Sequence, residues 1–361
     1  MTSRPIRWCA AVLAVSALCA PVFAAKRPQL ALSADERRAA VERAGLDPSS
    51  FTDPLAVTDE LRDMARRVAG EGSERERLIR LQAHLFDPAS YVFDYETRRT
   101  LTAIEAHEAG RGNCVSFTNL FIALGRALDI PVHASVAFTD RSEEAIDDLV
   151  IVNSHLVATY PDRQRLLVFD FERRQKIVPI GYRAIDDAWL TAVYLNNLGV
   201  ESLVAGDLND AREWLEAAVG LAPEFVDALT NLAVVYRRSG DADAALDTHL
   251  LALRLAPNDP AVRGNLNAIY SILARERDPN SGLLGKADEE LMGGRPTQAL
   301  RLYRRAANAD RENAEPHLGA ARALIVKGRI KGATKTLRRA LELEPGNPEA
   351  ARLLAGLAPE D

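Results

Sequence analysis

The stretch Gly110-Arg111-Gly112-Asn113-Cys114 is the part of the chain from which the fold is best predicted. Its two glycines give a flexible turn, and apolar residues such as Phe117, Phe121 and Leu124 then recur at the spacing of one helix face. Earlier in the chain, Ser33 and Ser73 each precede a glutamate by three residues, the spacing of a helix capping box. The sequence therefore predicts short capped helices and then a turn that opens into a buried helix, with Cys114 at the amino terminus of that helix.

Cys114 is also the single cysteine that we expect in the mature protein. Residues 1–24 have the pattern of a secretion signal, with two arginines, an apolar run and a small-residue cleavage site ending at Ala24. Cleavage there removes Cys9 and Cys19, the other two cysteines. Exported proteins normally use cysteines in disulfides, so an unpaired thiol indicates a reactive group or an intermolecular bridge. The turn and helix around Cys114 favour the reactive thiol over a small core residue.

We therefore predict an exported, periplasmic protein with no integral membrane segment in its mature chain. The apolar run of the leader is shorter than the roughly 20 residues that a membrane-spanning helix needs. An uncleaved anchor and lipid attachment at Cys19 are the alternatives, and the second is a poor match because Leu18 stands where a small residue is preferred. Loss of Arg4 and Arg7 with the signal takes the net charge from −6 to about −8. This balance argues against a nucleic-acid or anionic-membrane partner.

A set of strands follows Asp129-Ile130-Pro131, where the pattern changes to β-branched and aromatic residues. The predicted strands are 132–138, 149–160, 166–171 and 177–180. If Tyr160 pairs with Arg165 in an antiparallel hairpin, His155 falls directly opposite Asp170, and the two side chains share a face. The carboxylate can then hold one imidazole nitrogen and leave the other free.

Together these features resemble the transglutaminase-like superfamily, a papain-like cysteine fold. The resemblance covers about residues 55–185 and rests on the turn before Cys114, on Arg126–Pro131 after its helix, and on His155 and Asp170 in the strands. It implies a catalytic triad of Cys114, His155 and Asp170. Two positions depart from the family pattern, because Asp129 replaces the usual glycine before Ile-Pro and no tryptophan follows His155.

The chemistry expected of such a triad is acyl transfer through a thioester. A helix amino terminus and a neighbouring imidazolium both favour the thiolate, and Asp170 would orient His155. Water as acceptor gives a peptidase or amidase, whereas an amine gives a cross-linking transferase. His107 and His133 flank Cys114 in sequence without the ligand spacing of a zinc site, so we predict no metal and no cofactor.

The carboxy-terminal part contains an internal repeat of thirty-four residues. Gly206, Ala211 and Pro223 recur as Gly240, Ala245 and Pro257, and a second in-phase pair carries Gly294 and Gly328. This period resembles tetratricopeptide repeats and implies an α-solenoid whose concave face binds a peptide or protein segment. The alternative is that these helices scaffold the first domain or dimerise.

Three asparagines follow the same thirty-four-residue period: Asn197, Asn231 and Asn265. An asparagine amide offers both a donor and an acceptor, so a stacked row could hold an extended peptide backbone. We predict this row as the partner-binding surface, against a plain polar helix face as the alternative.

The predicted fold class is an α+β papain-like, transglutaminase-like domain followed by an all-α tetratricopeptide solenoid. The boundaries are a signal peptide at 1–24, a helical extension at 25–54, the transglutaminase-like domain at 55–188, repeats at 189–347 with a slip near 275–282, and a capping helix and tail at 348–361. The function predicted is a cysteine acyl-transfer enzyme acting on peptide or protein amides, with the repeats recruiting a protein partner. The alternative is a catalytically inactive adaptor that binds envelope proteins.

Overall fold

The computed structural model describes residues 30–89, 91–97, 99–146, 149–162, 165–171, 181–266 and 283–357. A mixed α and β part is followed by paired helices, which confirms the predicted fold class. The signal peptide, the strand predicted at 177–180 and the slip near 275–282 lie outside the described residues. In the part that is described, no helix is both long and apolar enough to cross a membrane.

In the described residues, five helices precede the main sheet. Both predicted capping boxes are present, and Thr102 with Glu105 forms a further one. The helices are α1 Ala34–Arg43, α2 Asp59–Ala69, α3 Glu74–Leu85, α4 Ala103–Ala109 and α5 Cys114–Arg126. Most of α5 is buried, which the apolar run after Cys114 predicts.

A four-stranded antiparallel sheet follows α5, with a separate pair of short parallel strands before it. The short strands are β1 Asp94–Tyr95 and β2 Arg111–Gly112, and the sheet strands are β3 His133–Ile146, β4 Leu149–Asp162, β5 Arg165–Phe169 and β6 Gly181–Ile185. Their order in the sheet is β5-β4-β3-β6. Helix α5 packs against this sheet, where Phe121 stacks on Phe169 with ring centroids 4.4 Å apart.

The predicted register of the β4–β5 hairpin is wrong by two residues. Tyr160 pairs with Leu167 rather than with Arg165, and Arg165 pairs with Asp162. The strands therefore pair further toward their turn than the sequence suggested. Because side chains alternate with a period of two, an even shift leaves every side chain on its expected face. Asp170 consequently becomes a diagonal neighbour of His155 instead of its direct opposite.

Helical pairs make up the second part of the molecule. They are α6 Asp187–Ala205 with α7 Leu208–Leu221, α8 Val226–Arg238 with α9 Ala242–Leu255, α10 Leu283–Met292 with α11 Pro296–Ala309, and α12 Glu315–Val326 with α13 Ile330–Leu343, followed by α14 Pro348–Gly356. The glycine between the helices of each pair has a positive φ, as at Gly206 and Gly240 (92° and 84°). The alanines of the repeat are fully buried at 0% exposure, as at Ala211 and Ala245. These features confirm the predicted repeat.

The first repeat shares a hydrophobic core with the mixed part. One buried cluster runs from Val41 through the sheet to Ala228, and it includes Leu190 and Leu195 of α6. A second cluster begins at Leu229 and ends at Leu357, so the last helix covers the far end of the array. The core thus crosses the predicted boundary at residue 188, and the position of that boundary stays a prediction.

A buried carboxylate, Asp187 at the start of α6, joins three parts of the chain. Arg126 at the end of α5 donates two hydrogen bonds to it, at 2.6 and 2.9 Å. The backbone N–H of Leu32 donates a third at 2.8 Å, and Arg37 of α1 lies 3.4 Å away. The Asp187 side chain is only 1% exposed. Its charge is therefore balanced entirely inside the protein.

Replacing Asp187 with alanine should destabilise the protein by about 3–5 kcal/mol, because Arg126 would lose its buried counter-charge and the N–H of Leu32 its acceptor. Denaturant unfolding of the wild type and the variant would measure this loss. Asp59→Ala is the matched control, since Asp59 is 93% exposed and forms only a surface ion pair with Arg62. An Asp187 variant no less stable than the Asp59 variant would contradict the role of this carboxylate.

Candidate active site

Cys114 occupies the first turn of α5, as the sequence predicts, and it is half-buried. The Asn113 side chain caps this helix by accepting the N–H of Ser116 at 3.0 Å. Gly112 precedes the cap with a φ of 155°, and a side-chain carbon there would lie 2.4 Å from the Cβ of Ser116. The second glycine of the turn is therefore required both by its backbone angle and by the lack of space.

A short segment, residues 99–101, holds the start of α5 from the side. The Asn113 amide donates to the Thr100 hydroxyl at 2.7 Å, and the Ser116 hydroxyl accepts the N–H of Leu101 at 2.8 Å. Thr100, Asn113 and Ser116 are all buried. The turn of helix that carries the thiol is thus fixed by buried hydrogen bonds, which have a well-defined geometry.

His155 and Asp170 form a direct hydrogen bond, with 2.7 Å between His155 Nε2 and Asp170 Oδ2. The Cys114 side chain lies close enough to the same imidazole to raise its pKa through hydrogen bonding and charge. Helix α5 reaches β4 next to this point, where the Thr118 hydroxyl donates to the carbonyl of Leu156 at 3.3 Å. The structure therefore brings together the three residues named from the sequence. That they are catalytic stays a prediction.

The sheet is irregular beside His155. Pairing of β3 with β4 is regular up to the pair Ala137–His155, and then shifts before the pair Ser142–Asn153. Bulges of this kind re-aim side chains and are frequent next to active sites. His155 belongs to the last regular pair before this shift, so its side chain lies where the regular pairing of β3 with β4 ends.

The pKa of His155 is determined by opposing effects. Burial, the largest, lowers the pKa, but hydrogen bonds to Asp170 and Cys114 and the charges of both groups raise it to about 10. The charged imidazole is therefore the form favoured at neutral pH. Because the pKa in the folded state lies above the ordinary value of 6.5, its stabilising contribution is complete below about pH 6.5 and is lost as the pH rises through about 10.

A stacked pair of aromatic rings lies beside the histidine, and the sequence did not predict it. The Phe171 ring meets His155 edge to face at 5.9 Å and stacks on Tyr95 at 4.4 Å with nearly parallel planes. Tyr95 is 51% exposed, so the stack opens to solvent. The absence of a tryptophan after His155 therefore does not leave this side of the site without an aromatic surface. A signal was present in the aromatic residue that directly follows Asp170.

Backbone donors at the start of α5 suit an oxyanion. The N–H groups of Cys114 and Val115 have no hydrogen-bond acceptor among the residues that the structure describes. Helix amino termini leave such groups unpaired, and their dipole favours negative charge. A carbonyl oxygen placed there would be stabilised as it becomes an oxyanion.

The remaining histidines near the site have other surroundings. His107 stacks on Tyr91, which also stacks on His84, at centroid distances of 5.4 and 6.0 Å. Burial lowers the pKa of His107 and also that of His133. Across the described ranges, no three histidine, cysteine or acidic side chains are grouped as metal ligands would be.

In the predicted row of asparagines, Asn197 lies on α6, Asn231 on α8, and Asn265 in the helical residues 260–266. Asn231 and Asn265 are buried, and Asn231 donates to Asn196 at 2.9 Å. Asn196 in turn approaches the side chain of Asn197 at 3.4 Å. Asn231 thus contacts Asn196 across the first two repeats. The binding of a peptide by the row stays a prediction.

A groove of about 860 Å³ lies at the carboxy-terminal end of the array, away from Cys114. Its sides carry Lys331, Lys335 and Arg338 of α13, and its apolar lining includes Leu354 and Leu357 near the end of the described chain. No sequence pattern predicts this groove, because its residues do not follow the repeat period. Its size and charge suit an acidic peptide with apolar side chains.

Comparisons with known proteins agree with this architecture. Residues 62–219 match the family model of the transglutaminase-like superfamily, and residues 197–260 and 290–357 match models of the tetratricopeptide repeat. The chain therefore contains a transglutaminase-like domain followed by tetratricopeptide repeats. Both resemblances read from the sequence are confirmed.

Relatives and solved structures match part of the chain. Photosystem I assembly protein Ycf3 of Prochlorococcus marinus strain MIT 9303 is 34% identical over 133 residues, which are 36% of this chain and 73% of that protein. The protein of strain MIT 9313 matches with the same identity and coverage. The structure of the tetratricopeptide repeat protein TTC0263 of Thermus thermophilus matches with 25% identity and a TM-score of 0.25. The match covers 46% of this chain and 80% of that protein. MamA of Desulfovibrio magneticus RS-1 has 14% identity, 46% and 83% coverage and a TM-score of 0.24.

His155 should titrate well above pH 6.5 in an NMR experiment that follows its ring protons. Asp170→Ala should bring its pKa down, because burial would then be opposed only by Cys114. His133 is the internal control, since burial keeps its pKa below the ordinary value and Asp170 is not among the groups that act on it. A His155 that titrates at the same pH in both proteins would contradict the hydrogen-bonded pair.

Proposed function

We propose that this protein is a cysteine acyl-transfer enzyme that acts on peptide or protein amides. The observation that carries the proposal is the grouping of Asp170, His155 and Cys114: the carboxylate lies 2.7 Å from the imidazole, and the thiol is near enough to the imidazole to raise its pKa. The thiol lies at a helix amino terminus and is accessible enough to meet a substrate. A nucleophile, a base and a group that orients the base are the requirements of covalent acyl transfer.

In the proposed reaction, the Cys114 thiolate attacks the carbonyl carbon of the amide. The carbonyl π electrons move onto oxygen, and the N–H groups of Cys114 and Val115 stabilise the negative charge. His155 then gives its proton to the leaving nitrogen as the C–N bond breaks, which releases an amine or ammonia and leaves a thioester. An incoming water or amine gives a proton back to His155 and attacks the thioester, and the thiolate leaves. Asp170 keeps the imidazole oriented throughout.

Two versions of this activity differ in the molecule that accepts the acyl group from the thioester. Water makes the protein a peptidase or amidase, and a primary amine makes it a cross-linking transferase. The Tyr95–Phe171 stack supplies an exposed aromatic surface next to the histidine, against which an apolar substrate side chain can pack.

The repeats are proposed to recruit a protein partner, and the protein is proposed to work after export. Repeat arrays present extended surfaces for peptides, and the basic groove at the end of this array fits an acidic segment of a partner. The leader pattern of residues 1–24, with the single thiol left after cleavage, supports export to the periplasm.

An adaptor without catalysis is the second candidate. It is favoured by the match over 36% of the chain to a protein named for the assembly of photosystem I. An adaptor would use both parts of the chain for binding and would need no thiol. Cys114→Ala separates the two candidates, because the enzyme loses turnover of its amide substrate and the adaptor loses nothing.

Alkylation of Cys114 by iodoacetamide tests the proposal directly. An ordinary cysteine thiol titrates near pH 8.5 and reacts slowly below about pH 7. We expect the wild type to react rapidly at and below neutral pH, His155→Ala to lose that rapid reaction, and Asp170→Ala to show a smaller loss. Mass spectrometry of the peptide that contains Cys114 measures alkylation at this site separately from alkylation at Cys9 and Cys19.

His133→Ala serves as the control for removal of a half-buried histidine that does not touch the thiol. Incorporation of a fluorescent primary amine into casein, compared with release of ammonia, then distinguishes the two acceptors. If Cys114 reacts equally in the wild type and in His155→Ala, and no amide is turned over, the acyl-transfer proposal is wrong and the adaptor stands.

A further inference from the structure

A carboxylate from the first repeat helix reaches the segment that holds the start of the Cys114 helix. Glu201 of α6 accepts the backbone N–H of Thr100 at 2.8 Å, across a sequence separation of 101 residues. Thr100 is 4% exposed, so its N–H depends on an acceptor inside the protein. Glu201 itself is only partly exposed.

The hydrogen bonds continue from Thr100 to the cap of the nucleophile helix. The Thr100 hydroxyl accepts the Asn113 amide at 2.7 Å, and the Asn113 carbonyl oxygen accepts the N–H of Ser116 at 3.0 Å and its hydroxyl at 3.1 Å. Each bond fixes the position of the next group, because all of these groups except Glu201 are buried. Glu201 is therefore connected to the turn that carries Cys114 through two residues.

The opposite end of the same helix is held from α6 as well. Arg126, at the end of α5, pairs with Asp187 at the start of α6. Thirteen residues separate Asn113 from Arg126, about 20 Å of helix, and fourteen separate Asp187 from Glu201, about 21 Å. Helix α6 thus runs antiparallel to α5 over a matched length; Asp187 pairs directly with the end of α5, and Glu201 is connected to its start through Thr100.

We propose that Glu201 is a positioning residue for Cys114, so that the first tetratricopeptide helix is part of the active site and not only a recruiting module. This inference rests on the proposed acyl-transfer function. Glu201 sets the place of Thr100, Thr100 sets the orientation of the Asn113 cap, and the cap sets the thiol and the two N–H groups that face the substrate. Displacements of about 0.5 Å in such groups are enough to reduce activity.

The test compares three variants of the full chain. Glu201→Ala removes the acceptor of Thr100, while Glu201→Gln keeps an acceptor oxygen and loses only the charge. Glu216→Ala is the matched control, because Glu216 accepts Tyr236 at 2.8 Å and Arg212 at 2.7 Å inside the repeats without touching the 99–101 segment. The iodoacetamide rate at Cys114 near neutral pH is measured for each, together with hydrogen–deuterium exchange of the peptide that covers residues 99–117.

We expect Glu201→Ala to lower the alkylation rate roughly two- to tenfold, the range that one hydrogen bond of ordinary net strength corresponds to. Glu201→Gln should restore the rate to within about twofold of the wild type, because the acceptor is what holds Thr100 in place. Glu216→Ala should react as the wild type does. Faster exchange in the 99–117 peptide should accompany the loss in Glu201→Ala alone.

Three results would overturn the proposal. They are wild-type reactivity in Glu201→Ala, failure of Glu201→Gln to restore the rate, and an equal loss in Glu216→Ala, which would indicate general destabilisation. Failure of the acyl-transfer proposal has a different signature, because the wild type itself would then react no faster than His155→Ala. In that case the exchange of the 99–117 peptide still decides whether Glu201 positions this segment, and unchanged exchange in Glu201→Ala would reject it.

Discussion

The arrangement of the molecule depends on one buried carboxylate, Asp187. Its ion pair with Arg126 fixes the end of the nucleophile helix to the start of the first repeat helix, and its bond to the N–H of Leu32 attaches the amino-terminal segment to the same point. A buried charge is costly unless it is fully paired, so this position admits little variation in how the three parts meet. The hydrophobic cluster from Val41 to Ala228 packs the same parts of the chain together.

Much of the fold could be predicted from the sequence because it follows from local rules. A capping serine, a helical apolar period and a thirty-four-residue repeat each act within a short stretch of chain. The predicted register of β4 and β5 was wrong by two residues, because a strand pattern specifies which face a side chain occupies. It does not specify how close to the turn the two strands continue to pair. His155 and Asp170 still meet, since an even shift preserves the face.

Contacts between distant segments could not be predicted in this way. Glu201 meets Thr100, and Tyr95 meets Phe171, through the packing of whole elements, and neither pair has a periodic signal. The three polar residues of the site could be named because the proposed acyl-transfer chemistry restricts the residue types that can serve it. Many residue types can form an aromatic surface or a buried hydrogen-bond acceptor, so sequence alone does not identify which residues do so.

The division of the hydrophobic core also bears on how the repeats could serve the site. Helices α6 and α7 pack in the first cluster with the sheet, whereas the basic groove is built from α12 to α14 in the second. A partner bound in that groove would contact helices that pack in the second cluster, whereas α6 packs in the first. Its contribution to the proposed reaction then comes from raising the local concentration of substrate near Cys114, as a linked binding site does. In this proposal the first repeat positions the thiol and the last repeats hold the partner, so a single array performs both tasks with separate helices.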